Sequence, residues 1–172
     1  EADDVSALLQ DVERPTIGFS DIFGATAAKA ELEYLVNWLK QPRKHAALGL
    51  RAPRGILLYG HPGTGKTMLA RALAGESNVT FIVESATNFV SKYVGSGPEY
   101  VRTLFTRARR YAPTILFIDE IDAVGKKRGG LNSHRAYDET LNAILIEMDG
   151  FDKANRHPVI VIAATNLVDQ LD

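Results

Sequence analysis

Residues 60–67 read Gly60-His61-Pro62-Gly63-Thr64-Gly65-Lys66-Thr67 and match the pattern G-x-x-x-x-G-K-[ST] at every fixed position. An apolar run precedes this stretch and a helical pattern starts inside it, which is the context of a phosphate-binding loop. Glycines let backbone N–H groups surround phosphate oxygens, and a helix N-terminus adds partial positive charge. Lys66 is predicted to contact the outer phosphates, and Thr67 to ligate Mg²⁺. The alternative, a glycine-rich turn with a surface lysine, requires this whole match to arise by chance.

Four short apolar runs elsewhere in the chain predict buried strands, at Ile56–Tyr59, Thr80–Val83, Ile115–Ile118 and Val159–Ala163. Their uniformly apolar composition is typical of a parallel sheet that is covered on both faces. Helical patterns separate them, at Lys66–Ala74, Pro98–Tyr111 and Ala136–Met148. This alternation indicates right-handed βαβ units and an α/β fold, a three-layer sandwich with a parallel sheet.

The first residues carry an amphipathic pattern of their own. Val5, Leu8, Leu9 and Val12 recur at helical spacing, and Pro15 ends the pattern. We interpret residues 1–16 as a linker helix and residues 17–172 as the nucleotide-binding domain. A second helical pattern, with apolar residues between positions 32 and 39, is predicted to stop at Pro42.

Two acids follow the apolar run at Ile115–Ile118, namely Asp119 and Glu120. Ending a buried strand on adjacent carboxylates is unfavourable unless a ligand uses them. Side chains alternate along a strand, so the two acids are expected to point differently. We predict that Asp119 holds Mg²⁺ and that Glu120 orients and deprotonates the attacking water. Alternatively, both acids stabilise the N-terminus of a following helix.

A third polar signal is Asn166, which follows the last predicted strand. It would lie at the sheet edge where open α/β sheets bind ligands, within reach of the γ-phosphate or the attacking water. A Thr-Asn pair after a strand is also a common turn.

Composition excludes several functional classes. The chain has 172 residues, 45% of them hydrophobic, and 20 basic against 21 acidic residues give a net charge of −1, which does not indicate nucleic-acid binding. The absence of cysteine excludes disulfides and thiolate metal sites. No apolar run approaches the roughly 18 residues of a membrane span, and the start Glu1-Ala2-Asp3-Asp4 is not a signal peptide.

The three motifs, in this order and at these separations, resemble the AAA ATPases, and most closely the FtsH-type ATP-dependent zinc metalloproteases. Further similar stretches are Ala28–Leu32, Arg51–Gly55, Ile118–Gly125 and Glu147–Phe151. The resemblance implies a P-loop NTPase fold with strand order 5-1-4-3-2 and Walker A and Walker B motifs. It also implies a hexameric ring with ATP and Mg²⁺ bound between subunits.

The resemblance also implies residue roles. Nucleotide contacts would include Ile22, Phe23 and Gly24 near the adenine, the whole loop at 60–67 and Met68. Lys92-Tyr93-Val94-Gly95 matches the pore loop that grips substrate polypeptide, with Tyr93, Val94 and Gly95 as contacts; otherwise Tyr93 is an ordinary surface aromatic. Asp149, Gly150 and Phe151 match a segment that signals nucleotide state between subunits, although Gly150 also fits a helix C-cap.

Other features depart from the family pattern. His61 and Phe23 replace the usual proline and a usual small residue. The chain stops at Leu171-Asp172, before the family's arginine fingers, fifth strand and helical lid, so we expect an incomplete domain whose own ATPase activity is very low. The four histidines lack metal-ligand spacing, and zinc is expected only in a protease domain absent from this chain.

We therefore expect an ATP-hydrolysing motor that unfolds and translocates protein substrates and feeds a metalloprotease domain. The alternatives are an AAA remodelling or severing ATPase without protease, and a nucleotide-dependent interaction module that does not turn ATP over. The resemblance implies unfolded or membrane-protein substrates and a homo- or hetero-hexamer. It also implies a parent protein with a membrane anchor outside this chain. The chain itself is expected to be soluble, with this domain in the bacterial cytoplasm or an organelle matrix.

Overall fold

A computed structural model of the chain describes residues 12–50, 55–61, 65–90, 97–125, 131–149 and 158–166, with backbone alone for residues 90, 125 and 131–138.

Within these ranges four parallel strands form a sheet. They are β1 (Gly55–Tyr59), β2 (Thr80–Ser85), β3 (Thr114–Asp119) and β4 (Val159–Thr165). Their spatial order is β1-β4-β3-β2. The predicted strands and the parallel α/β class are confirmed, and each strand is longer than its apolar run because polar residues continue the ladder at the ends. The order also agrees with the one that the family resemblance implies for these strands.

Six α-helices are described, and they are α1 (Thr26–Lys40), α2 (Pro42–Ala47), α3 (Lys66–Ser77), α4 (Gly97–Arg110), α5 (Asp122–Gly125) and α6 (Leu131–Asp149). Short 3₁₀ helices span Phe19–Asp21 and Ala86–Val90. The three predicted helical patterns correspond to α3, α4 and α6. Helix α1 ends before Pro42 as predicted, and Pro42 then begins α2, where its missing N–H is not needed.

Alternate strand residues pack on opposite faces of the sheet. One face packs against α1 and α3, through residues that include Phe81, Phe117, Ile162, Leu35 and Leu73. The other face packs against α4 and α6, through residues that include Ile82, Leu116, Val161, Leu104 and Ile144. The result is the predicted three-layer sandwich.

The sheet was expected to be covered on both faces. For strand β1 this prediction is wrong. Ile56 and Leu58 pack against the layer of α1 and α3, whereas Leu57 is 49% and Tyr59 is 65% exposed. The reason is position: β1 lies at an edge of the described sheet and pairs only with β4 there. Apolar composition cannot distinguish an edge strand from a central one.

The predicted linker helix lies largely in residues 1–11, outside the described ranges. Residues 12–16 are not helical, and Glu13 forms an isolated antiparallel bridge with Phe81 on the free edge of β2. Glu13 also pairs with Arg71 of α3 at 3.0 Å. None of the described helices is both long enough and apolar enough to cross a membrane.

Candidate nucleotide-binding site

The carboxyl ends of β1, β4 and β3 lie side by side. Tyr59 pairs with Thr165, and Ile118 pairs with Ala163. This register brings three predicted features to one edge: the start of the loop after β1, Asn166 after β4, and the acids that end β3. Ligands of open α/β sheets bind at this edge.

Lys66 is the first residue of α3 and is held by the surrounding chain. Gly65 precedes it with φ 83° and ψ 25°, a left-handed conformation that glycine adopts without a steric penalty. The Lys66 Nζ atom donates to Gly60 O at 2.8 Å, His61 O at 3.1 Å and Asn166 Oδ1 at 2.8 Å. All three acceptors are uncharged, and an anionic phosphate oxygen is a stronger acceptor for an ammonium group than any of them.

The two acids at the end of β3 differ in backbone conformation. Asp119 ends the strand, and Glu120 adopts φ 54°, a left-handed conformation that costs roughly 1–2 kcal/mol for a residue with a Cβ. Glu120 N donates to Asp119 Oδ1 at 2.8 Å, and Ile121 N donates to Ala164 O at 3.0 Å. The predicted strand alternation does not extend to Glu120, because the strand ends at Asp119 and Glu120 is left-handed. Such strain is concentrated at functional sites.

The chemistry of the predicted metal ligands fits Mg²⁺. Thr67 and Asp119 offer hydroxyl and carboxylate oxygens, and both residues are half-buried. Within the described ranges, no group of three or more acidic or histidine side chains comes together. Mg²⁺ bound with a nucleotide needs only one or two protein oxygens, since phosphate oxygens and water complete its shell.

One further polar contact at this edge was missed by sequence reasoning. The buried Thr165 hydroxyl donates to Asp122 Oδ1 at 3.0 Å. It joins the end of β4, one residue before Asn166, to the first residue of α5. Ala123 N also donates to Glu120 O at 2.9 Å, so a helical turn does follow the acids, as the alternative interpretation expected. The only sequence signal was an acid three residues after Asp119.

Comparison with known proteins identifies the family. A model described as "ATPase family associated with various cellular activities (AAA)" matches residues 56–172. This chain belongs to the AAA family.

Its relatives sharpen the resemblance. The chain is 53% identical to ATP-dependent zinc metalloprotease FtsH 3 of Sphaerobacter thermophilus, over 94% of this chain and 32% of that protein. It is 57% identical to FtsH 1 of Thermomicrobium roseum, over 92% and 24% of the two chains. It is 54% identical to chloroplastic FTSH 9 of Arabidopsis thaliana, over 91% and 20%. This AAA chain thus spans between a fifth and a third of these relatives.

Solved structures agree with the fold. The crystal structure of the FIGL-1 AAA domain matches with a TM-score of 0.81 and 34% identity, over 98% of this chain and 56% of that one. The same domain in complex with ADP also gives a TM-score of 0.81, over 99% and 56%. The predicted P-loop NTPase architecture and the resemblance to FtsH-type proteases are confirmed.

The predicted adenine contacts lie between the first 3₁₀ helix and α1 of the AAA domain. Gly24 has φ 76°, which favours glycine, and the Ile22 carbonyl accepts from the Lys29 ammonium group. The Phe23 side chain is 97% exposed, and Met68 on the first turn of α3 is 43% exposed. The roles of Ile22, Phe23 and Gly24 toward adenine, and of Met68 toward the nucleotide, stay predictions.

Several predicted residues fall outside the described ranges. They are Pro62, Gly63 and Thr64 of the phosphate loop, Tyr93, Val94 and Gly95 of the pore loop, and Gly150 and Phe151 of the signalling segment. Asp149 is described as the exposed last residue of α6. The pore-loop and signalling roles therefore stay predictions.

Proposed function

We propose that this AAA domain hydrolyses ATP and uses the energy to unfold and translocate protein substrates. The observation that carries the proposal is the position of Lys66, whose ammonium group lies between the backbone of the phosphate loop and Asn166. On the proposed function, the γ-phosphate of ATP takes the place of these neutral acceptors.

The chemistry follows from the residues at the edge. A water oxygen attacks the γ-phosphorus, the bond to the β-phosphate oxygen breaks, and ADP leaves. Glu120 accepts the proton of the attacking water, and its exposed, strained position leaves the carboxylate accessible. Lys66 and Asn166 hold the γ-phosphate and the water in place. Thr67 and Asp119 would hold Mg²⁺, which when bound neutralises charge on the phosphate oxygens.

The substrate is proposed from the relatives. Proteins named ATP-dependent zinc metalloprotease FtsH are 52% to 57% identical to this chain, against 34% for the FIGL-1 AAA domain. This difference favours a parent with a zinc protease domain over a remodelling ATPase without one. A His-Glu-x-x-His sequence downstream in the gene would establish the protease. We further propose a hexamer, unfolded or membrane-protein substrates that Tyr93 grips, and a membrane anchor outside this chain.

The test of the chemistry is Glu120→Gln in the assembled full-length protein. The amide keeps the shape of the side chain and cannot accept the proton, so kcat for ATP should fall by about 10²–10⁴-fold. Binding of ATP, measured by calorimetry, should remain within about twofold because the phosphate contacts are intact.

Glu33→Gln, at an exposed position on α1, is the matched control and should retain the wild-type rate. A Glu120→Gln variant that hydrolyses ATP as fast as the wild type would remove Glu120 from the reaction. A variant that neither binds nor hydrolyses ATP would instead indicate a loss of folded structure, which circular dichroism detects.

A further inference from the structure

A second polar cluster lies at the carboxyl end of β2 and has no part in the chemistry above. Glu84 is 1% exposed, on the face of the sheet that α4 covers. Its carboxylate accepts from Tyr100 Oη at 2.9 Å, Asn88 Nδ2 at 2.6 Å and Ser85 N at 3.1 Å. A carboxylate this deeply buried is tolerated only where donors surround it.

The donors come from both sides of one segment of the chain. Asn88 belongs to the 3₁₀ helix that ends at Val90, and Tyr100 lies one turn into α4, which begins at Gly97. Residues 91–96, which lie between these helices, contain the aromatic motif at Tyr93. Glu84 therefore joins the chain that enters this segment to the chain that leaves it.

Packing brings the same two helix ends together. The Phe89 and Tyr100 rings lie 5.3 Å apart between centroids. A Cβ built on Gly97 would stand 2.7 Å from Phe89 O and 2.1 Å from Thr140 Oγ1, so only glycine fits there. The entrance and the exit of segment 91–96 thus form one close-packed neck, made of Phe89, Gly97 and the Glu84 cluster.

The neck is also continuous with the nucleotide site. In the β2–β3 register Glu84 pairs with Ile118, and Ser85 pairs with Asp119. The buried carboxylate belongs to the residue immediately before Ser85, which is the strand partner of Asp119, the predicted Mg²⁺ ligand. A shift of Asp119 along β3 would therefore displace Ser85 and Glu84.

We propose that Glu84, with Asn88 and Tyr100, is a positioning clamp that fixes the neck of segment 91–96 to the strand beside Asp119. The clamp holds the proposed substrate-contacting segment in a fixed position relative to the nucleotide site. This role rests on the proposed unfolding and translocation function. It touches neither ATP nor substrate. Its loss should therefore reduce the work obtained from each ATP and leave ATP turnover in place.

The experiment uses Tyr100→Phe in the assembled full-length protein, which removes one hydroxyl and leaves the ring against Phe89. The probe substrate is a fluorescent reporter protein with an unstructured tail. We expect the rate of reporter unfolding to fall by about tenfold, because a small displacement of a positioning group has an effect of this kind. The kcat and KM for ATP should stay within about twofold of the wild type. Exchange of amide hydrogens at residues 86–99 should be about fivefold faster, as one lost hydrogen bond gives.

Thr114→Val is the matched control. Thr114 is fully buried at the other end of the same layer, and its Oγ1 donates to Ala108 O of α4 at 2.9 Å. The control also loses one buried hydrogen bond to α4, so general loosening of that helix would affect both variants. If the rate of reporter unfolding falls equally in both variants, the clamp is overturned. It is also overturned if Tyr100→Phe unfolds the reporter and exchanges its amide hydrogens at wild-type rates.

Tyr93→Ala separates this inference from the function on which it rests. If Tyr93→Ala stops reporter unfolding and Tyr100→Phe does not slow it, the clamp is wrong and the proposed function stands. If Tyr93→Ala unfolds the reporter normally, the proposed gripping role is wrong, and the clamp's role in substrate handling is overturned with it. Loss of unfolding in both variants, with fast exchange at the neck only in Tyr100→Phe, supports both.

Discussion

Two polar clusters lie at the carboxyl edge of the same sheet. They differ in burial and in whether a ligand can replace their hydrogen-bond partners. At the ends of β1, β4 and β3, Glu120 and Asn166 are exposed, and Lys66 contacts neutral oxygens. At the end of β2, Glu84 is buried and accepts three hydrogen bonds from the domain itself.

The difference separates a ligand site from a supporting one. Phosphate can replace the partners of Lys66, because a charged acceptor is better than a carbonyl or an amide oxygen. Nothing from solvent reaches Glu84, so removing one of its donors leaves an unsatisfied group inside the protein. Backbone strain follows the same division, since Glu120 at the exposed cluster has a left-handed backbone and Glu84 at the buried cluster does not.

The largest effect that tests this comparison is the loss of nucleotide binding in Lys66→Ala. Charged hydrogen bonds contribute about 1.5–3 kcal/mol each, so losing two to phosphate oxygens should weaken ATP binding by about 10²–10⁴-fold. The domain should stay folded, with the free energy of unfolding lowered by no more than about 1 kcal/mol, because Lys66 is half-buried and water can replace its exposed hydrogen-bond partners. Lys40→Ala, at the exposed end of α1, is the control. Near-normal affinity in a folded Lys66→Ala variant, measured by calorimetry, would remove the exposed cluster from phosphate binding.

In the buried cluster, Glu84→Gln should have its main effect on stability rather than on nucleotide binding. The glutamine Nε2 group is a donor facing other donors, so the free energy of unfolding should fall by about 1–3 kcal/mol. Asp119→Asn is the contrasting variant: Asp119 is half-buried, its Oδ1 can still accept from Glu120 N, and the change should stay within about 0.5 kcal/mol. Denaturant unfolding can be followed by fluorescence of Trp38, the one tryptophan, which is 8% exposed. Equal losses in both variants would contradict the division between the clusters.

The exposed cluster could be predicted from sequence because each of its parts is local. A loop motif, a strand ending in two acids and an asparagine after a strand each lie within a few residues, and the parallel sheet brings them to one edge. The contact between Lys66 and Asn166 joins residues 100 positions apart and is a consequence of that topology.

The buried cluster could not be predicted, because its signal is tertiary. The apolar run of β2 was expected to end at Val83, yet the ladder continues through Glu84 and Ser85. An acid after an apolar run usually marks a solvent-exposed strand end, and its partner Tyr100 lies 16 residues further on. Composition also could not reveal the exposure of Leu57 and Tyr59, because strand order decides which strand lies at an edge. The order that the family resemblance implies, without its fifth strand, did predict β1 at an edge, as observed.

The smallest expected effect is a pH dependence that belongs to the buried cluster alone. Burial raises the pKa of Tyr100 above its ordinary value, and the adjacent Glu84 carboxylate raises it further because a phenolate there would face a negative charge. A tyrosine in the unfolded chain ionises near pH 10. Above about pH 10 the unfolded state therefore releases this proton while the folded state keeps it, and the free energy of unfolding falls as the pH rises.

Below about pH 10 this contribution of Tyr100 to the free energy of unfolding is constant. Tyr100→Phe should remove the alkaline decline that this phenol causes, while Tyr34→Phe, which deletes a 56% exposed phenol on α1, should retain it. The measurement is denaturant unfolding at about pH 9 and about pH 11 for the wild type and both variants. If the decline is as steep in Tyr100→Phe as in the wild type, the Tyr100 hydroxyl does not keep its proton against Glu84. The buried cluster would then have to admit water, and its contrast with the exposed site would disappear.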